Sequence, residues 1–273
     1  MRFTRLLLGA AAGTLLSTAA AWAVPTATVD GITIPIDSTS GGAVFTVQVD
    51  NETKIVNVGD VLQGVGLVSQ IKDNPSNTTT YLQPCATTGC AGTFLTDVFT
   101  GLTVRAITSS STGFDVYLTG GTLNYYVQHT LPNLSTGNIA TDMANGTSGT
   151  LFLSLAPAVF DSSGDTMHIF VPGSSLSTFT GTAQGDAFLN VTGGDAANIF
   201  NTNTFAVGFQ NALADLKFVG NANNSQCGDF PVCGSDDLFA NTVPEPASLA
   251  ILGAGLFILG WSLRRKSTSN LQA

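Results

Sequence analysis

The sequence predicts an all-β domain, a β-sandwich or jelly roll, on three observations. Between two apolar terminal segments, Thr, Ser, Asn and Gly are abundant, whereas Lys and Arg are scarce and Glu occurs only at Glu52 and Glu245. That balance of β-branched and turn residues over long straight-chain residues favours strands. Short alternations of apolar and polar residues recur from Ala43 onward, separated by Gly/Asn/Ser turns, as expected of packed antiparallel sheets. Val, Ile, Leu and Phe remain plentiful, so residues 24–242 can bury a core rather than form a disordered stalk.

Ala43 to Val49 alternates strictly, and Asp50-Asn51 then reads as a turn. Lys54–Val58 and Val61–Ile71 are the next expected strands; Gly64 and Gly66 inside the second signal a bulge or a close backbone approach. Asp73 to Thr80 reads as a polar loop. Phe94–Thr108 is strand-like with a break at Gly101. Phe114 to Gln128 reads as a hairpin turning on Gly120-Gly121, with Phe114, Val116 and Leu118 on one face and Leu123, Tyr125 and Val127 sharing a face on the return. Further strands are expected at 150–155, 166–171, 179–183, 187–191, 204–209 and 215–219, with one helical turn at 195–200. No internal repeat is present, which argues against a solenoid.

The ends of the chain are address segments. Residues 1–23 combine Arg2 and Arg5, an apolar stretch and the small-x-small sequence Ala21-Trp22-Ala23, the pattern of a signal peptide cut after Ala23. At the other end Val243-Pro244-Glu245-Pro246 precedes an apolar run, Ala247 to Leu263, and then Arg264-Arg265-Lys266. The run is 17 residues long, at the short end for a membrane-spanning helix. The three cations would hold it on the cytoplasmic side. The prolines leave an extended peptide outside. Residues 267–273 form a short cytoplasmic tail. This order resembles the PEP-CTERM sorting signal of exopolysaccharide-producing Gram-negative bacteria. The resemblance implies recognition of Pro244, Glu245 and Pro246 by an exosortase, after signal peptidase has acted at the other end. It also implies a membrane-anchored precursor that ends at the cell surface or in the matrix. More loosely, Phe188–Gly194 with Phe200–Asn203 and Ala214–Leu216 resembles flocculation-associated proteins of the same kind.

Residues 24–243 hold four Lys or Arg against 17 acids, a net charge of −13. So negative a surface repels nucleic acid and anionic lipid. It suits solubility, divalent cations or a neutral extracellular polysaccharide. The four cysteines form two close pairs, Cys85/Cys90 and Cys227/Cys233. In an exported chain these read as two loop disulfides, although cross-pairing is open. Zinc is the alternative, and the spacing and the lack of nearby histidine disfavour it.

The residue inventory argues against an enzyme. His129 and His168 read as ordinary strand histidines, and no nucleophile elbow, zinc-protease motif or phosphate loop is present. Paired carboxylates could serve a glycosidase, but Asp161/Asp165 and Asp236/Asp237 lie in Gly/Ser-rich segments that read as turns, leaving Asp115 on a strand. Those same four acids, Asp161, Asp165, Asp236 and Asp237, are the candidates for a structural calcium ion. No other cofactor is expected. Tyr117 and Tyr126, on the polar face of the expected hairpin, are the candidate sugar contacts, against the plainer reading of cross-strand packing. The sequence therefore points to an exported surface or matrix protein with a structural role in biofilm, floc or exopolysaccharide organisation. A carbohydrate-binding module is the alternative, and a secreted hydrolase the third reading.

Overall fold

The structure, a computed structural model, describes residues 26–36, 42–73, 79–82, 88–89, 91–227 and 229–242. The described part opens with a hairpin, β1 (Thr26–Val29) and β2 (Ile32–Pro35), turning on Asp30 and Gly31. Both turn residues take positive φ, 51° and 82°, as a two-residue turn between twisted strands requires. Then follow β3 (Ala43–Glu52), β4 (Val61–Asp73), the short β5 (Thr79–Tyr81), β6 (Ala91–Ser109) and β7 (Gly113–Thr130). Helix α1 (Ile139–Gly146) leads to β8 (Thr150–Pro157), β9 (Met167–Pro172) and β10 (Thr182–Gly193). The described residues finish with α2 (Ala197–Phe200), the two-residue strands β11 (Phe205–Ala206) and β12 (Leu213–Ala214), then β13 (Leu216–Asn223) and β14 (Val232–Ala240).

The expected all-β class holds, but the architecture is a closed antiparallel barrel, not a sandwich or jelly roll. Eight strands run in the order β13-β14-β3-β4-β6-β7-β8-β10, and β10 pairs back onto β13 from Thr182↔Asn223 to Leu189↔Leu216. That last ladder decides the matter. Both edges of β10 are used, since its other side pairs β9 over 184–187 and β8 from Leu189. β8 and β9 lie end to end between β7 and β10, and β9 continues where β8 stops. Alternation of inward and outward side chains is the same in a sandwich and a barrel, so the sequence pattern could not separate them.

The expected Gly120-Gly121 hairpin is absent. β6 and β7 form one long ribbon that turns at Ser110–Thr112, where the Ser110 hydroxyl accepts the amides of Thr112 and Gly113. Gly101, Gly120 and Gly121 all have positive φ and lie side by side, so both strands bend together and neither ends. The bend lets β7 pair β9 with its first half and β8 with its second. Lys54–Val58, expected as a strand, is irregular. The segments at 179–183 and 187–191 merge into β10.

The barrel interior is the main core. Phe45 sits at its centre, with ring centroids 5.8 Å from Tyr125, 6.4 Å from Phe152 and 5.6 Å from Phe200. Phe200 comes from α2, so this single helical turn inserts an aromatic ring into the interior. A smaller cluster forms outside, where Tyr126, Leu134, Ile139 and Met143 cover Val65, Val98 and Phe230. Asn138 caps α1 by accepting the Thr141 amide at 3.1 Å. Among the described residues no helix is long and apolar enough to cross a membrane. The expected membrane helix at 247–263 lies outside the described residues.

Candidate functional site

Three acids converge inside the barrel. Inward positions on β6 carry Leu95, Asp97 and Phe99, so a carboxylate takes an apolar slot. On β3, Phe45 and Val47 point inward, and a register shift between Val47 and Asp50 then moves the inward face to even positions, turning Asp50 and Glu52 into the lumen. β14 alternates through Gly234, Asp236, Leu238 and Ala240 on its buried face. Asp50, Asp97 and Asp236 are 1 %, 0 % and 4 % exposed, and one oxygen of each lies within 4.8 Å of the other two.

The register makes this a belt across neighbouring strands. Tyr125 is opposite Asp97, Asp97 opposite Gly66, Gly66 opposite Asp50, and Asp50 opposite Gly234. The glycines clear space for the acids. A Cβ at Gly66 would lie 2.5 Å from Asp97 Oδ1 and 3.1 Å from Asp50 Oδ1; one at Gly234 would lie 2.2 Å from Glu52 Oε1. Beyond Glu52 the interior becomes apolar, with a cavity of about 40 Å³ lined by residues including Leu62, Phe99, Met167, Ile169 and Phe218.

Among the described residues, none donates a hydrogen bond to either carboxylate oxygen of Asp50, Asp97 or Asp236, and none partners the Tyr125 hydroxyl. Burial and mutual repulsion therefore penalise the ionised forms. Burial first, then the charges of Asp97, Glu52 and Asp236, pushes the Asp50 carboxyl well above the usual range. Asp236 is raised well above it as well, by burial and then by Asp97 and Glu52. Burial lifts Asp97 to about 7, partly offset by the nearby amides of Asp97 and Gly66, which fall short of full hydrogen-bond geometry, and lifts Glu52 to about 8 with Asp97 adding to it. The Tyr125 phenol is pushed up by burial and then by the surrounding acids.

The acids of the two candidate calcium loops, 161–165 and 234–237, are placed differently by the structure. Asp161 Oδ1 accepts the amides of Ser163 and Asp165, an Asx-type loop closure, and Asp165 is ion-paired to Arg105, which donates from Nη2 at 2.5 Å. Asp236 and Asp237 lie on a strand, not a flexible loop: Asp236 faces the lumen, while Asp237 accepts the Thr46 hydroxyl at 2.6 Å. One of the four, Asp236, thus joins two acids that sequence reasoning missed. Asp50 read as a turn residue, and Asp97 stood unnoticed in an apolar strand. The available signal was a lone aspartate at an inward position of Phe94–Phe99.

Tyr117 is half-buried with its ring 5.0 Å from that of His168, and His168 Nε2 lies 2.9 Å from Asp115 Oδ1 on the neighbouring strand. Tyr126 packs under α1, so the two tyrosines do not share an open face. The disulfide Cys227–Cys233 is formed. Cys85, Cys90, Ala21, Ala23, Val243–Pro246 and Arg264–Lys266 lie outside the described residues.

The segments of the looser resemblance meet at one residue. Asp215 Oδ1 accepts the amides of Thr202 and Asn203, both at 2.7 Å, and Oδ2 accepts that of Val191 at 2.8 Å. This carboxylate ties β10, the loop after α2 and the start of β13.

Residues 242–266 match the PEP-CTERM protein-sorting motif. No curated protein and no solved structure matches the chain. The motif implies an exported, cell-envelope-associated protein sorted by an exosortase-type system.

Proposed function

We propose that the chain is a non-enzymatic surface or matrix protein, in which the sorting signal delivers a self-contained barrel that takes part in organising extracellular polysaccharide, biofilm or floc. One observation carries this reading. β14 ends at Ala240 and the sorting motif begins at residue 242, so all eight barrel positions are filled before the motif starts. Cutting near Pro244-Glu245-Pro246 would leave every barrel ladder intact. The tail is then an address, and the barrel is the cargo. A net charge of −13 over residues 24–243 supports a soluble module beside neutral polymer.

A carbohydrate-binding role is the second reading, favoured by the half-exposed Tyr117 ring beside His168 and Asp115. The test of the first reading is mass spectrometry of the C-terminus from whole cells and medium. Cleaved barrel outside the inner membrane is expected, with uncut precursor accumulating on Pro244→Ala or on deletion of Arg264–Lys266. Unchanged processing in both variants overturns the sorting mechanism. Normal processing of the parent, with unaltered matrix in a strain lacking the protein, overturns the matrix role alone. Glycan pull-down that weakens on Tyr117→Ala would support the second reading.

A further inference from the structure

Among the described residues, no cation supplies a counter-charge to the lumen carboxylates. Of the four described cations, Arg105 is held by Asp165 and Lys54 donates to Ser177 O and Asn224 Oδ1. Lys72 and Lys217 occupy positions that alternate with the inward Ile71, Leu216 and Phe218. Among the described residues, none makes a full hydrogen bond to the six carboxylate oxygens of these three almost fully buried acids. Ionised and alone, such a group is among the costliest arrangements a protein interior can hold.

A second observation points the same way. Tyr125 is 1 % exposed, occupies the inward position directly across the ladder from Asp97, and its hydroxyl also has no partner. A neutral oxygen is thus presented to the same acids, whose charges it feels. The glycines at 64, 66 and 234 keep this part of the wall free of Cβ atoms that would strike the carboxylates or Phe99.

We propose that Asp50, Asp97 and Asp236 hold one calcium-class divalent cation inside the barrel, with the Tyr125 hydroxyl as a further oxygen donor. Calcium–oxygen bonds of about 2.3–2.6 Å place ligand oxygens up to about 5 Å apart across the ion. The three carboxylate oxygens, each within 4.8 Å of the others, lie in that range. The chemistry selects the ion. No histidine or thiolate joins the cluster, which disfavours zinc and other ions that prefer nitrogen or sulfur. Magnesium sheds its water reluctantly, so a site walled by several buried carboxylates suits calcium better. The acids sit on three different strands, β3, β6 and β14, so the ion would link ladders far apart in sequence. The inference does not depend on what the exported protein does.

The test uses full-length chain stripped with EDTA and titrated with CaCl₂ by calorimetry and thermal melting. One calcium per chain is expected, with Tm raised about 5–10 °C at a hundredfold excess over Kd. Asp97→Asn and Asp236→Asn should abolish both the heat and the shift, yet melt in EDTA at or above the parent, because each removes a buried charge. Asp237→Asn, on the outer face of the same strand, should respond as the parent does. Should either lumen variant fail to fold, Tyr125→Phe supplies the second reading: Tb³⁺ bound in place of calcium loses its tyrosine-sensitised emission but still competes with calcium. No response of the parent at 10-fold the roughly millimolar calcium range of weak extracellular sites overturns the proposal. So does an equal shift in Asp97→Asn, retained emission in Tyr125→Phe, or tighter binding of magnesium or zinc.

Discussion

Asp215 offers the sharpest test of how the barrel is held together. It is 3 % exposed, and its carboxylate accepts three main-chain amides from two separate segments. Asn203 takes φ +50°, a conformation few non-glycine residues adopt, and one of those three bonds secures it there. A hydrogen bond to a charged acceptor contributes about 1.5–3 kcal/mol. Two of the three share Oδ1 and lead to the partly exposed 201–203 segment, where water can replace the carboxylate. Asp215→Ala should therefore cost about 4 kcal/mol. At this domain size that corresponds to a fall in Tm of roughly 8–16 °C. Asp215→Asn can keep the bonds to Thr202 and Asn203, but it sets an NH₂ against the Val191 amide, and about 2 kcal/mol is expected. Urea unfolding of the full chain, followed by far-UV circular dichroism, measures both. The reasoning fails if Asp215→Ala lies within about 0.5 kcal/mol of the parent, or if Asn costs as much as Ala.

Other consequences are equally direct. Arg105→Ala strands the fully buried Asp165 without its partner, so stability should fall, with partial recovery in Arg105→Ala/Asp165→Asn on chemical denaturation. Asp60 Oδ2 accepts the amides of Val56 and Asn57 at 2.7 and 2.8 Å, and these bonds hold its pKa below 3.8. The native state then binds fewer protons than the unfolded chain near that pH, so the Asp60 contribution is present above about pH 4 and is lost as pH falls through the folded pKa. Asp60→Asn should lower stability at pH 7, and its difference from the parent should shrink toward pH 2 in a series of melts. Cys227→Ser/Cys233→Ser opens a short loop, so the change should be about 2 kcal/mol or less, matched by the effect of reductant on the parent.

How far the sequence could be read differs by residue. The strands observed at Val61–Asp73 and Gly113–Thr130 were largely legible, as 61–71 and as the two arms of an expected 114–128 hairpin, because their alternation is local. Gly64 and Gly66 were legible as points of close approach, and the structure places Phe99 and the Asp97 carboxylate over them. β14 was hidden because Asp236 and Gly234 interrupt its apolar face, so a strand looked like a loop. Asp50 was hidden for another reason: the bulge after Val47 changes which positions face inward, and alternation cannot be carried across it.

Composition and the ordered signals at 243–266 were enough, unaided, to specify an exported chain, its β-rich cargo and its sorting motif, because each of these is a property of neighbouring residues. Closure into a barrel and the meeting of Asp50, Asp97, Asp236 and Tyr125 depend on pairings between residues up to 197 positions apart. Only the ladder registers set those distances, and no local pattern along the chain encodes a register between strands so remote.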